Sequence, residues 1–218
     1  MKMRCIQRRN GGMTLNEVLV VIVVLFILAA VLLPALRPHK HGGSYINCVN
    51  NLKQVGLAYR IWAGDNNDKY PMAVSITNGG TMELISTGTA WINFGVMSNE
   101  LGSPKILHCP EDTSRTFATN FTTDLNNSKI SYFVGLDADP AQPQMILSGD
   151  DNFAIGGVPI KSGLLELSTN APIAWTAARH KLTGNLALAD GSVQSATING
   201  LKQALQSTGV ATNRLAIP

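Results

Sequence analysis

Hydrophobic and polar positions divide the chain into two parts with different periodicity. From Val18 to Leu33, sixteen consecutive residues are apolar. With Met13, Leu15, Ala35 and Leu36 the stretch approaches the roughly 20 residues that a membrane-spanning helix needs. At about 1.5 Å rise per residue, a helix over 13–36 reaches roughly 36 Å, enough to cross a bilayer. Residues 37–43, Arg-Pro-His-Lys-His-Gly-Gly, interrupt the pattern and read as a hinge. Beyond them Tyr45, Val49, Leu52, Val55, Tyr59 and Trp62 recur at steps of three and four, while Asn47, Asn50, Asn51, Lys53, Gln54 and Arg60 take the opposite face. That spacing predicts an amphipathic helix, capped by Ser44 and ending in the turn-rich cluster Gly64-Asp65-Asn66-Asn67-Asp68.

Residues 75–124, rich in Gly, Ser, Thr and Asn, read as loops with short elements. Strand signals return at 130–134, 144–148 and 172–175. Residues 185–189 and 192–196 flank Asp190-Gly191, a dipeptide suited to the positive φ angles of a tight hairpin turn. A last helix is expected over 199–206. The pattern therefore predicts an α+β fold, a long N-terminal helix followed by a small antiparallel sheet, with 44–218 as one globular domain.

Charge changes the picture in one respect. The formal net charge is +3, but Lys2, Arg4, Arg8 and Arg9 all precede Gly12 in a segment without an acidic residue. The remainder carries thirteen Lys and Arg against fourteen Asp and Glu. A nucleic-acid partner needs a basic excess on the folded part, and the composition supplies none. Lys and Arg beside a membrane helix stay on the cytoplasmic side. The expectation is a single-pass inner-membrane protein with its N-terminus cytoplasmic and its globular domain periplasmic or extracellular.

Glu17 stands out, because an acidic residue within a membrane helix costs roughly 2.5–3.5 kcal/mol at mid-helix even on mild insertion scales. The stretch Gly11-Gly12-Met13-Thr14-Leu15-Asn16-Glu17-Val18-Leu19-Val20-Val21 resembles the type III signal of type IV pilins and type II secretion pseudopilins. The resemblance implies that a prepilin peptidase and methyltransferase removes residues 1–12, cutting between Gly12 and Met13, and N-methylates Met13. It implies further that Glu17 faces the new α-amino group of a neighbouring subunit, and that the long first helix lays its second half on a small sheet in a pilin-like fold. Such an ion pair would fix axial register, since a subunit left unpaired carries an isolated buried charge. Pro34 falls twenty-second from Met13, where similar pilins often carry a helix-bending proline; it would equally serve to end the membrane helix. An ordinary signal peptide should close on an A-x-A-like site, which Leu33-Pro34-Ala35-Leu36-Arg37 lacks. A plain uncleaved anchor leaves Gly12 and Glu17 without a role.

A second resemblance covers the rest. His180, nine residues and then Asp190-Gly191 are similar to the H-x9-D-G signature of prepilin-type processing-associated proteins. Cys48-Val49-Asn50-Asn51-Leu52-Lys53-Gln54-Val55-Gly56-Leu57-Ala58 is similar to their post-membrane helix, and His108-Cys109-Pro110-Glu111-Asp112 to their cysteine-proline loop. This resemblance implies architecture and export more than an activity.

Candidate chemistry is sparse. With Cys5 in the leader, Cys48 and Cys109 remain for an oxidising compartment, either as a disulfide tying the helix to the Cys-Pro loop or as two buried thiols. A zinc site would need further ligands such as His108. His180 and Asp190 should lie at opposite ends of one strand, beyond hydrogen-bond reach of each other, with Asp190 serving a turn and His180 fastening the preceding loop. Asp137, Asp139, Asp150, Asp151 and Asn152 offer the hard oxygens that suit calcium, or simply form solvated turns. The His39/His41 pair is read as a solvated hinge. The function expected is that of a pilin-like or pseudopilin subunit without catalysis, assembled with other pilin-like subunits in the membrane. The alternatives are a tethered binding protein holding a glycan or secreted substrate with Trp91, Trp175 and Tyr132 exposed around a groove, and an envelope enzyme in which His180 meets a carboxylate in an open pocket. Neither arrangement is expected.

Overall fold

The computed structural model describes residues 12–35 and 40–218, giving the backbone alone at 33–35 and 40–43. The leader through Gly11, Leu36 at the end of the expected membrane helix and the hinge positions 37–39 lie outside the described residues. The chain forms two units, residues 1–40 and 41–218.

In the first unit, helix α1 (Leu15–Ala35) is long and apolar enough over Leu15–Leu32 to cross a membrane, a test that a signal sequence also passes. From Leu15 to Leu32 its side chains are uncovered, Leu15 by 84% and Phe26 by 73%. Thr14 opens it with a capping box. The Thr14 N–H and hydroxyl donate to Glu17 Oε2 at 2.7 and 2.9 Å, and the Glu17 N–H donates to Thr14 Oγ1 at 3.4 Å. Glu17 thus has a local role that the sequence reading did not give it, one that an uncleaved anchor would share. The helical backbone is described as far as Ala35, one residue past Pro34.

In the second unit, helix α2 (Lys40–Asp65) starts four residues ahead of Ser44, so positions 40–43 of the expected hinge are helical. Cys48, Leu52, Val55, Tyr59 and Trp62 are buried as the periodicity requires, Tyr45 and Val49 half-buried. Residues 71–131 hold 3-10 turns and two short helices, α3 (Ala90–Gly95) and α4 (Ser98–Leu101), as their composition suggests. Among the described residues nine strands follow: β1 (Tyr132–Gly135), β2 (Ile146–Asp150), β3 (Phe153–Ile155), β4 (Val158–Pro159), β5 (Gly163–Ser168), β6 (Ile173–Trp175), β7 (Gly184–Leu188), β8 (Val193–Ala196) and β9 (Thr212–Ile217), with α5 (Ile198–Ser207) before the last. All pairings are antiparallel. One sheet has the order β5-β9-β1-β2-β7-β8 and the other β4-β3-β6.

The inner strands β1, β2 and β7 are buried on both faces, so their residues alternate between two cores rather than between core and water, while the edge strands β5 and β8 keep exposed positions. Tyr132, Val134, Leu147, Ala187 and Ala216 pack with the α2 face. Phe133, Ile146, Leu186, Leu188, Leu215 and Ile217 pack with Phe153 and Trp175 of the second sheet and Leu201 and Leu205 of α5. The fold is α+β, with more sheet than expected.

The hairpin turn also differs from expectation. Gly191 N–H donates to the Leu188 carbonyl and Leu188 N–H to the Ser192 carbonyl, and of Asp190-Gly191 only the glycine has positive φ, +84°. The loop is therefore a three-residue connection with a bulge glycine, not a two-residue primed turn.

Candidate functional site

Four segments converge on one buried imidazole. Cys48 on the inner face of α2 and Cys109 in the Cys-Pro loop form a disulfide with Cα atoms 5.1 Å apart, both residues fully buried. His180 Nε2 lies 3.3 Å from Cys109 Sγ and 3.4 Å from Oδ2 of Asp150, the last residue of β2. On the other side of the ring, Nδ1 lies 3.2 Å from Glu111 Oε2, in ion-pair range without the alignment of a hydrogen bond. Tyr45, on the first turns of α2, sets its ring edge-on to the imidazole at 5.3 Å. The imidazole is fully buried, as is the Asp150 side chain.

The backbone is bent to bring the ring there. His180, Lys181 and Leu182 take φ of +53°, +50° and +65° in succession. Left-handed conformation costs a non-glycine residue roughly 1–2 kcal/mol, so neighbouring contacts must hold the turn. Thr183 closes it, its N–H and hydroxyl donating to the His180 carbonyl at 3.2 and 2.5 Å. The Asn152 amide reaches the carbonyls of Arg179 and Thr183 at 3.2 and 3.3 Å. Asn185 fixes Asp150, giving its Oδ2 one hydrogen bond from the backbone at 2.7 Å and one from the side-chain amide at 2.9 Å.

Beside this cluster sits a buried ionic one. The Arg179 guanidinium pairs with Asp151, lies 3.5 Å from Asp112 and donates to the Ser131 carbonyl at 3.1 Å. Arg115 bridges the same two carboxylates, 3.2 Å from Asp112 and 2.6 Å from Asp151. Burial alone would raise the Asp112 carboxyl, but hydrogen bonds from Ser114 and Ser131 and the two guanidinium groups outweigh it and hold it at about 2. Burial lowers the Arg179 guanidinium from its ordinary value, against the opposing pull of Asp150 and Asp112. A cavity of about 720 Å³ is lined by Asp112, Arg115, Asp151, Asn152 and Arg179; His180 does not line it.

The structure sorts the residues singled out from sequence. Asp190 stays at the hairpin turn, accepting from the Ser192 N–H at 2.8 Å, while its carbonyl accepts from Arg60 on α2 at 3.3 Å. His180, just before β7, instead meets two other carboxylates, Glu111 and Asp150, but inside the core and not in an open pocket. His108 turns away from the sulfurs to the Arg115 carbonyl, 3.2 Å from Nε2. The acidic residues considered for calcium do not form one site. Asp137 pairs with Arg214, Asp139 accepts from the Ala141 N–H, Asp150 belongs to the histidine cluster and Asp151 to the arginines. Tyr132 and Trp175 are core residues and Trp91 is half-buried, so they do not frame an exposed stacking groove.

The sequence reading missed Glu111, Asp150 and Tyr45 as neighbours of His180, and it missed the four-membered ionic cluster. The adjacency of Glu111-Asp112 to Cys109-Pro110 was the one available hint. Compared with models of protein families, with curated proteins and with solved structures, the chain matches none.

Proposed function

We propose that the chain is a pilin-like subunit: its leader is removed between Gly12 and Met13, α1 anchors it in the inner membrane, and Glu17 pairs with the α-amino group of a neighbouring copy during assembly. The observation that carries this reading is α1 itself, an uncovered apolar helix whose one acidic residue, Glu17, lies five positions after a Gly-Met junction. An apolar helix with its whole circumference uncovered needs lipid or other helices around it. A carboxylate at its start needs a cation once that end is taken out of water. Cleavage after Gly12 supplies one, an ammonium on Met13. The globular unit then lies outside the cytoplasm, where the Cys48–Cys109 disulfide persists. The pairing partner, the filament or pseudopilus type and the compartment are parts of this reading.

Mass spectrometry of the N-terminal peptide of the protein isolated from membranes tests it. The expected result is a chain beginning at an N-methylated Met13. A chain that still begins at Met1 overturns the proposal and leaves an uncleaved anchor carrying the folded unit.

A further inference from the structure

The geometry points to a zinc site that shares its sulfurs with the disulfide: when the Cys48–Cys109 bond is reduced, Cys48, Cys109, His180 and Asp150 bind one Zn²⁺. This inference concerns the folded unit alone and is independent of membrane processing.

The donors are already assembled. Among the described residues, the one group of three or more His, Cys, Asp or Glu side chains whose ligand atoms all lie within 4.8 Å of one another is Cys48, Cys109 and His180. Asp150 Oδ2 adds a fourth, 3.4 Å from the same Nε2 that faces Cys109 Sγ. In a tetrahedral site with Zn–N near 2.0–2.1 Å and Zn–S near 2.3 Å, neighbouring ligand atoms stand about 3.3–3.8 Å apart. The two contacts around Nε2 already have that spacing, and the sulfurs reach it by side-chain rotation once their bond is broken. Two thiolates, one imidazole and one carboxylate select zinc over magnesium or calcium, which take oxygen.

Beyond the donors, the shell is that of a metal-binding histidine. Nε2 faces the sulfurs while Nδ1 lies 3.2 Å from Glu111 Oε2, the carboxylate–histidine order that, once aligned as a hydrogen bond on metal binding, orients a ligand imidazole and fixes its tautomer. Asn185 orients Asp150 through two hydrogen bonds. Within this cluster two buried polar atoms are left over in the disulfide form: Asp150 Oδ1 and His180 Nδ1 have no hydrogen-bond partner. An unpartnered carboxylate oxygen on a fully buried side chain is costly, and a disulfide, being neutral, offers it nothing. A cation bound through Oδ2 would neutralise the carboxylate that Oδ1 belongs to.

The chemistry balances with a dithiol as reductant. The dithiol gives two electrons and two protons to the Cys48–Cys109 bond and becomes a cyclic disulfide, leaving two thiols. Zn²⁺ then replaces both thiol protons, which pass to solvent. A disulfide oxidant takes two electrons from the thiolates and two protons from solvent, becoming a dithiol, while the Cys48–Cys109 bond re-forms and the ion is released. Disulfide and zinc are thus alternative ties between α2 and the Cys-Pro loop.

The test uses the full chain in detergent micelles with Cys5→Ser, so that two cysteines remain. A phosphine, which takes its oxygen from water and leaves both sulfurs as thiols, reduces the protein under argon; Co²⁺ is then titrated in. The expected result is one Co²⁺ per chain with thiolate-to-cobalt charge-transfer and tetrahedral visible bands, displaced by Zn²⁺ and missing from the oxidised protein. Glu111→Gln should weaken binding about 10–100-fold, and His180→Gln by at least as much. Since a change at His180 can unfold the chain, a second measurement needs no variant: Zn²⁺ should protect both thiols of the reduced protein from alkylation, and a chelator should restore their reactivity. Reduced protein that shows no thiolate–cobalt absorption and no zinc protection overturns the site, as does unchanged Co²⁺ affinity in a folded His180→Gln chain.

Discussion

Arg179 is the residue on which the buried charges turn. Its guanidinium has 7% of its side chain exposed and faces Asp112 and Asp151, each at 3%. Removing one partner of a buried pair costs about 3–5 kcal/mol, mostly because the other charge is left unpaired. Arg179→Met should therefore destabilise the folded unit by about that much in chemical denaturation, and it should loosen the turn that begins at the next residue, His180. Acid should act on the same cluster. The Asp112 carboxyl is held at about 2, below its ordinary 3.8, so the stability it contributes is present above the ordinary value and is lost as pH falls through that interval. Denaturation midpoints measured from pH 5 down to pH 2 should fall steeply below about pH 4. Asp112→Asn, with no proton to take up, should flatten that slope; an unchanged slope would assign the acid sensitivity elsewhere.

At the scale of elements, α2 is held at two points along its buried face, to the Cys-Pro loop and to the hairpin turn. Near its start the disulfide closes a loop with a sequence separation of 61 residues. On the chain-entropy account such a closure is worth about 4 kcal/mol, and Cys48→Ala with Cys109→Ala should lower unfolding free energy by about 2–4 kcal/mol. Further along, a Cβ added to Gly56 would stand 3.3 Å from the Gly191 carbonyl, so helix and hairpin turn approach through two glycines. Gly191→Ala places a side chain at φ +84° and 2.8 Å from Arg60 Cδ. A loss of about 1–2 kcal/mol is expected, because the arginine can move but the backbone angle cannot. α2, β1, β2, β6, the β7–β8 hairpin and α5 were legible from sequence, since period and turn residues are local signals. β5 and β9 were not. Leu164, Leu165, Glu166 and Leu167 favour helix by propensity, and what makes them strand is register with β9 from Gly163↔Ile217 to Ser168↔Thr212, a contact no local pattern encodes. The site was half-legible for the same reason. Counting left Cys48 and Cys109 as a disulfide or as two buried thiols, but His180 meets Cys109 and Glu111 across 71 and 69 residues of chain, and sequence spacing is silent about such meetings.

For the whole molecule the question is what Glu17 does, because two physical accounts of it now stand side by side. Within the single chain it completes a capping box with Thr14, which satisfies backbone donors at the start of α1 and needs no neighbour. In an assembly it would supply the anionic half of a contact with the Met13 ammonium of another subunit. The two accounts separate on charge, since capping needs only an acceptor oxygen at that position, whereas pairing needs the negative charge. Glu17→Gln keeps an oxygen for the Thr14 donors and removes the charge; Glu17→Ala removes both. Co-isolation of tagged and untagged chains from one membrane measures self-association, and the membrane-bound fraction measures anchoring. If the proposed assembly holds, both variants stay in the membrane, and both lose self-association by about tenfold or more, equivalent to about 1.4 kcal/mol of contact energy. If Glu17→Gln associates like the unaltered chain while Glu17→Ala does not, the glutamate is a helix cap. The folded unit would then be tethered by α1 without the ion pair that the assembly requires.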